Sequence, residues 1–242
     1  MIDRTAVATE INERGYCVLE ACYHEEECRQ IRAIMDRLCE QKGGLSPNTS
    51  YIGLVPFLQL APEMAPFFGR PDLVETFAEV LQDAPRLAHS GASVTNEYAN
   101  PFIISWHTHY QWEVPPDGLN RQQPERIFCN VYVDGSTPEI GQLILIPRRL
   151  NDPIDQPCSD RRADWPGQVN VVAPPGSAVI FDSALWHTGK RGTKPGLRHL
   201  FGGEYQRWHD LRPHPEDNIS ESPALAQYKR DLPALRRLID GP

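Results

Sequence analysis

One stretch near the middle of the chain reads Ile103-Ile104-Ser105-Trp106-His107-Thr108-His109-Tyr110-Gln111-Trp112. Its branched and aromatic residues are typical of a β-strand, and metal-binding side chains crowd its end. Because residues i and i+2 of a strand project from the same face, we expect His107 and His109 to point into one cavity, with Thr108 turned away. Two imidazoles on one wall provide half of a metal site, so the other half must come from elsewhere in the chain.

The composition of the 242-residue chain is that of an ordinary globular protein, with 40% hydrophobic and 23% charged residues. Its net charge of −8 argues against a nucleic-acid partner, which requires a basic face. No apolar run approaches the roughly 20 residues of a membrane span, and the first residues do not resemble a signal peptide. The six cysteines have no C-x-x-C spacing, which favours reduced thiols. We therefore predict a cytoplasmic monomer or homodimer that acts on a small molecule, without nucleic-acid or membrane partners.

The pattern of apolar residues and turn signals predicts two kinds of structure along the chain. Helices are expected over 3–14, 24–40 and 71–82, where apolar residues recur at helical spacing and glycine or proline marks an end. From about residue 86, short apolar runs alternate with turn-forming residues, a pattern typical of sandwiches and barrels. The predicted strands lie at 16–19, 88–97, 101–107, 126–133, 142–146, 168–172, 177–182 and 197–207.

These elements predict a single domain over residues 1–242 that is mainly β with flanking helices. The helical N-terminal third covers 1–85, the β core covers 86–207, and short C-terminal helices occupy 208–242. Four prolines interrupt the segment 45–66, which we interpret as a lid or surface segment, together with the loop 113–125.

A second strand-like run, from Ala178 to His187, also ends in Trp-His and supplies a third candidate metal ligand. Arg198 follows eleven residues after His187, in the next strand-like run. The intervening segment, 188–196, is rich in glycine and lysine. We interpret the two runs as a hairpin that places Arg198 beside His187, deep in the barrel.

The order of these motifs resembles the phytanoyl-CoA dioxygenase-like family of Fe(II)- and 2-oxoglutarate-dependent oxygenases, over roughly residues 10–207. The motifs that carry the resemblance are Trp106-His107-Thr108-His109, Leu143-Ile144-Leu145-Ile146-Pro147, Pro175-Gly176-Ser177-Ala178-Val179-Ile180-Phe181, Trp186-His187 and Arg198. The resemblance implies a double-stranded β-helix (jelly-roll) core with His107 and His187 as iron ligands. It also implies that Arg198 holds the distal carboxylate of the co-substrate 2-oxoglutarate, a role that suits its planar guanidinium.

The chain departs from the family pattern at one metal ligand. Where the family has Asp, this chain has His109, so the usual set of two histidines and one carboxylate becomes a set of three histidines. Three interpretations are open: His109 binds the metal; it points elsewhere and water, an anion or Glu113 replaces it; or metal binding has been lost. Strand geometry favours the first, with His107, His109 and His187 as the catalytic metal ligands.

Other residues are predicted to line the pocket. The strand before the metal-binding strand offers three candidates for contacting 2-oxoglutarate, namely Thr95, Asn96 and Tyr98. The candidate substrate contacts are Trp112, Glu113, Asn130 and Tyr132.

The leading hypothesis is an oxygenase that uses Fe(II), 2-oxoglutarate and O₂ to hydroxylate a small molecule or natural product. A second hypothesis is a three-histidine iron dioxygenase that does not use 2-oxoglutarate, although Arg198 at the family spacing favours the first. A third is a catalytically degenerate barrel that binds a metabolite or a partner protein, because the carboxylate ligand is absent.

Overall fold

Two β-sheets face each other across a cavity in this computed structural model, which describes residues 2–98, 102–109, 121–153, 155–210 and 219–242. Within these ranges the major sheet has six strands and the minor sheet four, and the two do not close into a barrel. Helices from both ends of the chain pack against the outer face of the major sheet. The predicted fold, a mainly β jelly roll with flanking helices, is confirmed.

The helices and strands of the described ranges have the following bounds. The helices are α1 Arg4–Arg14, α2 Glu25–Gln41, α3 Phe57–Leu60, α4 Ala65–Phe68, α5 Pro71–Leu81, α6 Ala226–Asp231 and α7 Pro233–Asp240. The strands are β1 Tyr16–Leu19, β2 Tyr51–Leu54, β3 Pro85–Thr95, β4 Phe102–His107, β5 Arg126–Tyr132, β6 Gly141–Leu145, β7 Val169–Val171, β8 Ser177–Asp182, β9 His187–Arg191 and β10 Arg198–Arg207. None of these helices has the length and apolarity needed to cross a membrane.

Strand order shows how distant parts of the chain meet. The major sheet has the order β1-β8-β5-β10-β3-β2, and the minor sheet has the order β4-β9-β6-β7. From β3 onwards the chain alternates between the sheets, except at the β6–β7 pair. The N-terminal third therefore contributes more than a helical flank, because β1 and β2 form the two edges of the major sheet.

Helix α2 illustrates why the N-terminal helices form and where they pack. Its buried residues recur at a spacing of three or four, which places Cys28, Ile31, Met35 and Leu38 on one face. Three glutamates occupy its first turn, where the helix dipole favours negative charge. The buried face joins the core between the helices and the major sheet, which includes Phe201 of β10.

Side chains along strand β10 alternate between the cavity and the core on the helix side, because successive residues of a β-strand point to opposite faces. Arg198 and Leu200 line the cavity between the sheets. Two other side chains of this strand point to the helices: His199 contacts Asp36 of α2, and Tyr205 packs 4.1 Å from Phe77 of α5 between ring centroids. One strand thus carries both a candidate binding residue and the contacts that fix its position.

Two elements differ from the sequence prediction. The predicted hairpin between His187 and Arg198 is wrong, because β9 pairs with β4 and β6 in the minor sheet, whereas β10 pairs with β3 and β5 in the major sheet. The segment Thr188-Gly189-Lys190-Arg191 lacks an apolar run, but hydrogen bonds to strands on both sides stabilise it as a strand. The proline-rich segment 45–66 contains β2, which pairs with β3.

Three tryptophans meet in a small core beside the minor sheet. Trp106 of β4 and Trp165 stack with ring centroids 4.5 Å apart, and Trp186 meets Trp165 edge-on at 5.4 Å. The backbone N–H of Trp106 donates to the Arg161 carbonyl at 2.9 Å, and its indole N–H donates to the Ala163 carbonyl at 2.9 Å. These contacts hold strand β4 in place from the face opposite to His107.

A buried histidine links α2 to the turn after β5. His199 contacts Asp134 through Nδ1 at 2.7 Å and Asp36 through Nε2 at 2.8 Å, while Arg32 also pairs with Asp134. Burial alone lowers the pKa of His199, but the two carboxylates outweigh it and raise this pKa above the ordinary value. The folded state therefore favours the protonated ring.

Replacing His199 by glutamine is expected to destabilise the protein mainly at acidic to neutral pH. The raised pKa contributes stability that is fully present below the unfolded value of about 6.5 and is lost as pH rises through the folded value. Urea unfolding should show a loss of about 1–3 kcal/mol at pH 6, and a smaller loss at pH 9. His209→Gln is the control, because His209 also contacts an aspartate but its side chain is 82% exposed. An equal loss for His199→Gln at both pH values would contradict the protonated pair.

Candidate metal centre

The three candidate ligands are brought together by the ends of two paired strands. His107 is the last residue of β4 and His187 is the first of β9, and the antiparallel register places them opposite each other. His109 lies two residues beyond β4, and its backbone N–H donates to the Ser183 carbonyl at 3.1 Å, in the turn before β9. Strand pairing thus positions two rings, and one backbone hydrogen bond directs the third towards them.

The ring nitrogens lie at distances that suit one shared ion. The Nε2 atom of His109 lies 3.2 Å from Nε2 of His107 and 3.1 Å from Nε2 of His187. The candidate ligand atoms of the three residues all lie within 4.8 Å of one another. With metal–nitrogen bonds of about 2.1 Å, nitrogens in adjacent coordination positions are about 3 Å apart. His109 therefore has the spacing of a ligand adjacent to both His107 and His187, and all three candidate ligand atoms are close enough to share one ion.

Hydrogen bonds behind two of the rings fix which nitrogen faces the cluster. Nδ1 of His107 lies 2.8 Å from the Ser105 carbonyl, and Nδ1 of His187 lies 3.0 Å from the Leu185 carbonyl. A carbonyl only accepts, so each Nδ1 carries the proton and each Nε2 presents a lone pair. A single proton on Nε2 of His109 can satisfy only one of these two acceptors. A cation between the three nitrogens satisfies all of them.

Burial keeps two of the three rings, those of His107 and His187, in the form that binds metals. Burial lowers the pKa of His107, and the nearby positive charge of Arg161 lowers it further, against the hydrogen bond to Ser105. Burial, followed by the effect of His107, holds the pKa of His187 well below its ordinary value. Metal binding requires the neutral imidazole, so the proton is a weak competitor at this site near pH 7.

Aromatic rings hold the histidine rings in place. The ring of Phe128 lies 4.1 Å from that of His109 between centroids, and the ring of Phe181 lies 4.9 Å from that of His187. Because both phenylalanines come from the major sheet, the cluster is held between the two sheets and not within one of them.

The histidine cluster opens into a cavity of about 190 Å³ that also contains Arg198. Its guanidinium lies 5.3 Å from the ring centroid of Tyr132. Within the described ranges, Nε of Arg198 is buried without a hydrogen-bond partner, and no carboxylate forms an ion pair with this side chain. A buried cation with an unused donor fits an anionic ligand, because leaving a buried donor unpaired is unfavourable.

Gly141 provides the space that Arg198 occupies. A Cβ atom at this position would lie 2.8 Å from the Lys190 carbonyl oxygen and 2.9 Å from Cδ of Arg198. The backbone φ of +126° is also one that side-chain-bearing residues rarely adopt. A glycine at the start of β6 thus allows the arginine to reach the cavity.

The structure brings some of the predicted site residues together and leaves others apart. Asn130 and Tyr132 line the cavity with the histidines and Arg198. Burial raises the pKa of Tyr132 to about 12, although Arg198 and Asn130 reduce the shift. This phenol is therefore neutral near pH 7.

The other predicted pocket residues have different environments. Thr95, Asn96 and Tyr98 are not among the residues that line the cavity. The Asn96 amide donates to the Ser46 carbonyl at 3.3 Å, and its oxygen accepts from the Tyr98 N–H at 3.1 Å, so it stabilises the end of β3. Their predicted contact with 2-oxoglutarate has no support from this geometry. Trp112 and Glu113 lie outside the described residues.

Sequence reasoning missed several residues that line the cavity, namely Tyr51, Val55, His89, Ile104 and Phe128. Two of them were accessible from pattern alone. His89, Gly91 and Ser93 lie two residues apart along β3, as do Phe128 and Asn130 along β5, so the residues of each strand share a face. Tyr51 and Val55 reach the cavity because β2 pairs with β3. The prolines around β2 made this strand difficult to predict from the sequence.

Solved structures with the same fold include metal-dependent enzymes. HygX from Streptomyces hygroscopicus, with nickel and 2-oxoglutarate bound, is 15% identical, with 84% of this chain and 87% of that chain covered and a TM-score of 0.68. SnoK, an α-ketoglutarate-dependent carbocyclase from nogalamycin biosynthesis, is 17% identical, with 84% and 83% covered and a TM-score of 0.62. EctD from S. alaskensis, with 2-oxoglutarate and 5-hydroxyectoine, is 18% identical, with 86% and 76% covered and a TM-score of 0.59.

No curated protein matches the chain by sequence. A model of the phytanoyl-CoA dioxygenase family, however, matches residues 11–200. The match extends from the end of α1 to the first residues of β10, and so includes both sheets and the histidine cluster. By this match over most of its length, the chain belongs to the phytanoyl-CoA dioxygenase family.

Proposed function

We propose that the protein is an oxygenase that holds iron(II) on His107, His109 and His187 and uses 2-oxoglutarate and O₂ to hydroxylate a small molecule. The observation that carries this proposal is the arrangement of three inward-facing imidazole nitrogens in one cavity with Arg198. Structural neighbours support it, because HygX has been solved with iron and, separately, with nickel, 2-oxoglutarate and hygromycin B.

Each residue of the cavity has a distinct part in this proposal. The three histidines hold the ion, and the hydrogen bonds of His107 and His187 to backbone carbonyls keep their rings oriented. Arg198 binds the distal carboxylate of 2-oxoglutarate, with Tyr132 as a neutral neighbour. When bound, iron(II) with 2-oxoglutarate would supply the electrons that activate O₂ for oxidation of the substrate. The apolar side chains around the cavity exclude water from the reacting groups.

Anaerobic reconstitution with iron(II) and 2-oxoglutarate, followed by exposure to O₂, tests this function. The expected result is stoichiometric metal binding, a 2-oxoglutarate-dependent absorption band and slow release of succinate even without the substrate. Metal binding without succinate release would favour the second candidate, a three-histidine iron dioxygenase that does not use 2-oxoglutarate. The observation that favours this second candidate is the neutral set of three histidines, which lacks a carboxylate. Absence of bound metal would favour the third, a metabolite- or partner-binding module.

Replacing His109 by aspartate is expected to preserve binding of divalent metals, whereas replacing it by leucine is expected to weaken binding at least tenfold. Aspartate restores the two-histidine, one-carboxylate set, while leucine fills a similar space without a ligand atom. Calorimetric titration with nickel(II) measures both affinities. Unchanged affinity in His109→Leu would show that His109 does not bind the metal.

A further inference from the structure

Exposed apolar side chains are concentrated at the mouth of the cavity. Among the residues that the structure describes, the large hydrophobic side chains with substantial exposure are Tyr51, Val55, Leu60, Tyr98, Ile104, Val172 and Leu197. Three of these line the cavity: Tyr51 is 48% exposed, Val55 39% and Ile104 43%. Exposed apolar side chains that cluster at a cavity are typical of a ligand-binding site, whereas single exposed apolar residues elsewhere are common on protein surfaces.

The three side chains come from one edge of each sheet. Tyr51 and Val55 belong to β2 and the residue that follows it, at one edge of the major sheet. Ile104 belongs to β4, at one edge of the minor sheet and three residues before His107. The mouth is therefore an apolar opening between two strand edges, and its minor-sheet side leads directly to the histidine cluster.

The interior of the cavity continues this apolar character. Phe128, Leu143 and Leu200 also line it. Apart from the histidines, Arg198 is the one ionisable group with a full charge near pH 7 among the described lining residues. Under the proposed function, the carboxylate of 2-oxoglutarate neutralises that charge. The described walls then offer a second molecule apolar contact, together with the polar side chains of His89, Ser93, Asn130 and Thr188.

The exposed apolar residues offer that second molecule a surface in the same cavity. The cavity has a volume of about 190 Å³. A bound keto acid takes the part of this space beside Arg198, so the substrate occupies the part that the exposed apolar residues line. Tyr51 presents an aromatic ring there, and aromatic rings favour flat partners that stack on them.

We propose that the substrate is an uncharged molecule with a rigid apolar ring face, which rests on Tyr51, Val55 and Ile104 while its reacting carbon points to the histidine cluster. This inference rests on the proposed function, because the orientation of the reacting carbon towards the histidine cluster assumes that the reaction takes place there. With Arg198 paired to 2-oxoglutarate, the described lining residues include no further lysine or arginine for a carboxylate or phosphate that loses its hydration at this mouth.

Binding of 2-naphthol and 2-naphthoate, measured by calorimetry with saturating nickel(II) and 2-oxoglutarate, tests the inference. The two probes share a flat ring system and differ in charge. The protein is expected to bind 2-naphthol at least tenfold more tightly than 2-naphthoate. Equal or tighter binding of 2-naphthoate would overturn the proposed substrate class.

Matched substitutions locate the binding surface. Val55→Asp is expected to weaken 2-naphthol binding at least tenfold, and Ile104→Asp gives an independent test from the edge of the other sheet. Val172→Asp is the control, since Val172 is 61% exposed and does not line the cavity. Circular dichroism confirms that each variant is folded. Retained 2-naphthol affinity in both mouth variants would place the probe elsewhere and overturn the inference.

Affinity for 2-oxoglutarate separates this inference from the proposed function. Both mouth variants are expected to bind nickel(II) and 2-oxoglutarate within twofold of the unmodified protein. If the unmodified protein does not bind 2-oxoglutarate, the proposed function fails, whatever the result with 2-naphthol. If 2-oxoglutarate binds but the mouth substitutions do not affect 2-naphthol, only the substrate inference fails.

Discussion

Replacing His187 by alanine is expected to reduce metal affinity at least a hundredfold and to abolish succinate formation. His187 is buried, and it is the ring whose Nε2 faces His109 from β9. Loss of a group that only orients a metal ligand costs about 10–100-fold in affinity, so loss of the ligand itself should cost more. Calorimetric titration with nickel(II) gives the affinity directly.

Thermal unfolding provides a second measurement that does not depend on activity. A metal that binds only the folded state raises the melting temperature of the protein. This increase grows with the metal concentration relative to the dissociation constant. The unmodified protein should therefore show a metal-dependent increase that His187→Ala lacks. His209→Ala is the control, because its side chain is 82% exposed and does not line the cavity. A metal-dependent increase that survives in His187→Ala would contradict the three-histidine site.

Replacing Arg198 by methionine is expected to weaken 2-oxoglutarate binding about a hundredfold while metal affinity stays within a few-fold. Two charge-assisted hydrogen bonds in a buried site contribute on the order of 3 kcal/mol, and each 1.4 kcal/mol corresponds to a factor of ten. Methionine retains much of the length of the side chain without its charge. Measured with nickel(II) bound, the dissociation constant for 2-oxoglutarate gives the effect.

A comparison of two keto acids shows whether the effect comes from the distal carboxylate. 2-Oxopentanoate has the same carbon chain as 2-oxoglutarate but lacks that carboxylate. The unmodified protein should prefer 2-oxoglutarate strongly, whereas Arg198→Met should bind the two compounds with similar affinity. Arg191→Met is the control, because Arg191 lies on the exposed end of β9 and does not line the cavity. A preserved preference in Arg198→Met would show that another group binds the carboxylate.

Local spacing predicted the part of the site that depends on one strand. The i, i+2 relation of His107 and His109 follows from the geometry of an extended chain, and the structure places the two rings together. The contribution of His187 required the family pattern, because no local rule brings together residues so distant in sequence. The functional roles of these residues stay predictions until metal and ligand binding are measured.

Features that arise from the pairing of distant strands could not be predicted from the sequence. The polar segment after His187 forms a central strand because β4 and β6 satisfy its backbone on both sides. The contribution of Tyr51 and Val55 to the cavity mouth likewise depends on the pairing of β2 with β3. In both places tertiary hydrogen bonding outweighed local composition, which is common for β-structure.

The tryptophan stack beside the minor sheet gives this protein an internal optical reporter. Trp106 and Trp186 are each joined by a peptide bond to a histidine of the cluster, and Trp165 contacts both indoles. Their emission should therefore respond when a paramagnetic ion such as iron(II) or nickel(II) enters. Occupancy of the centre can then be followed in solution without attaching a dye, even for variants that have lost all turnover.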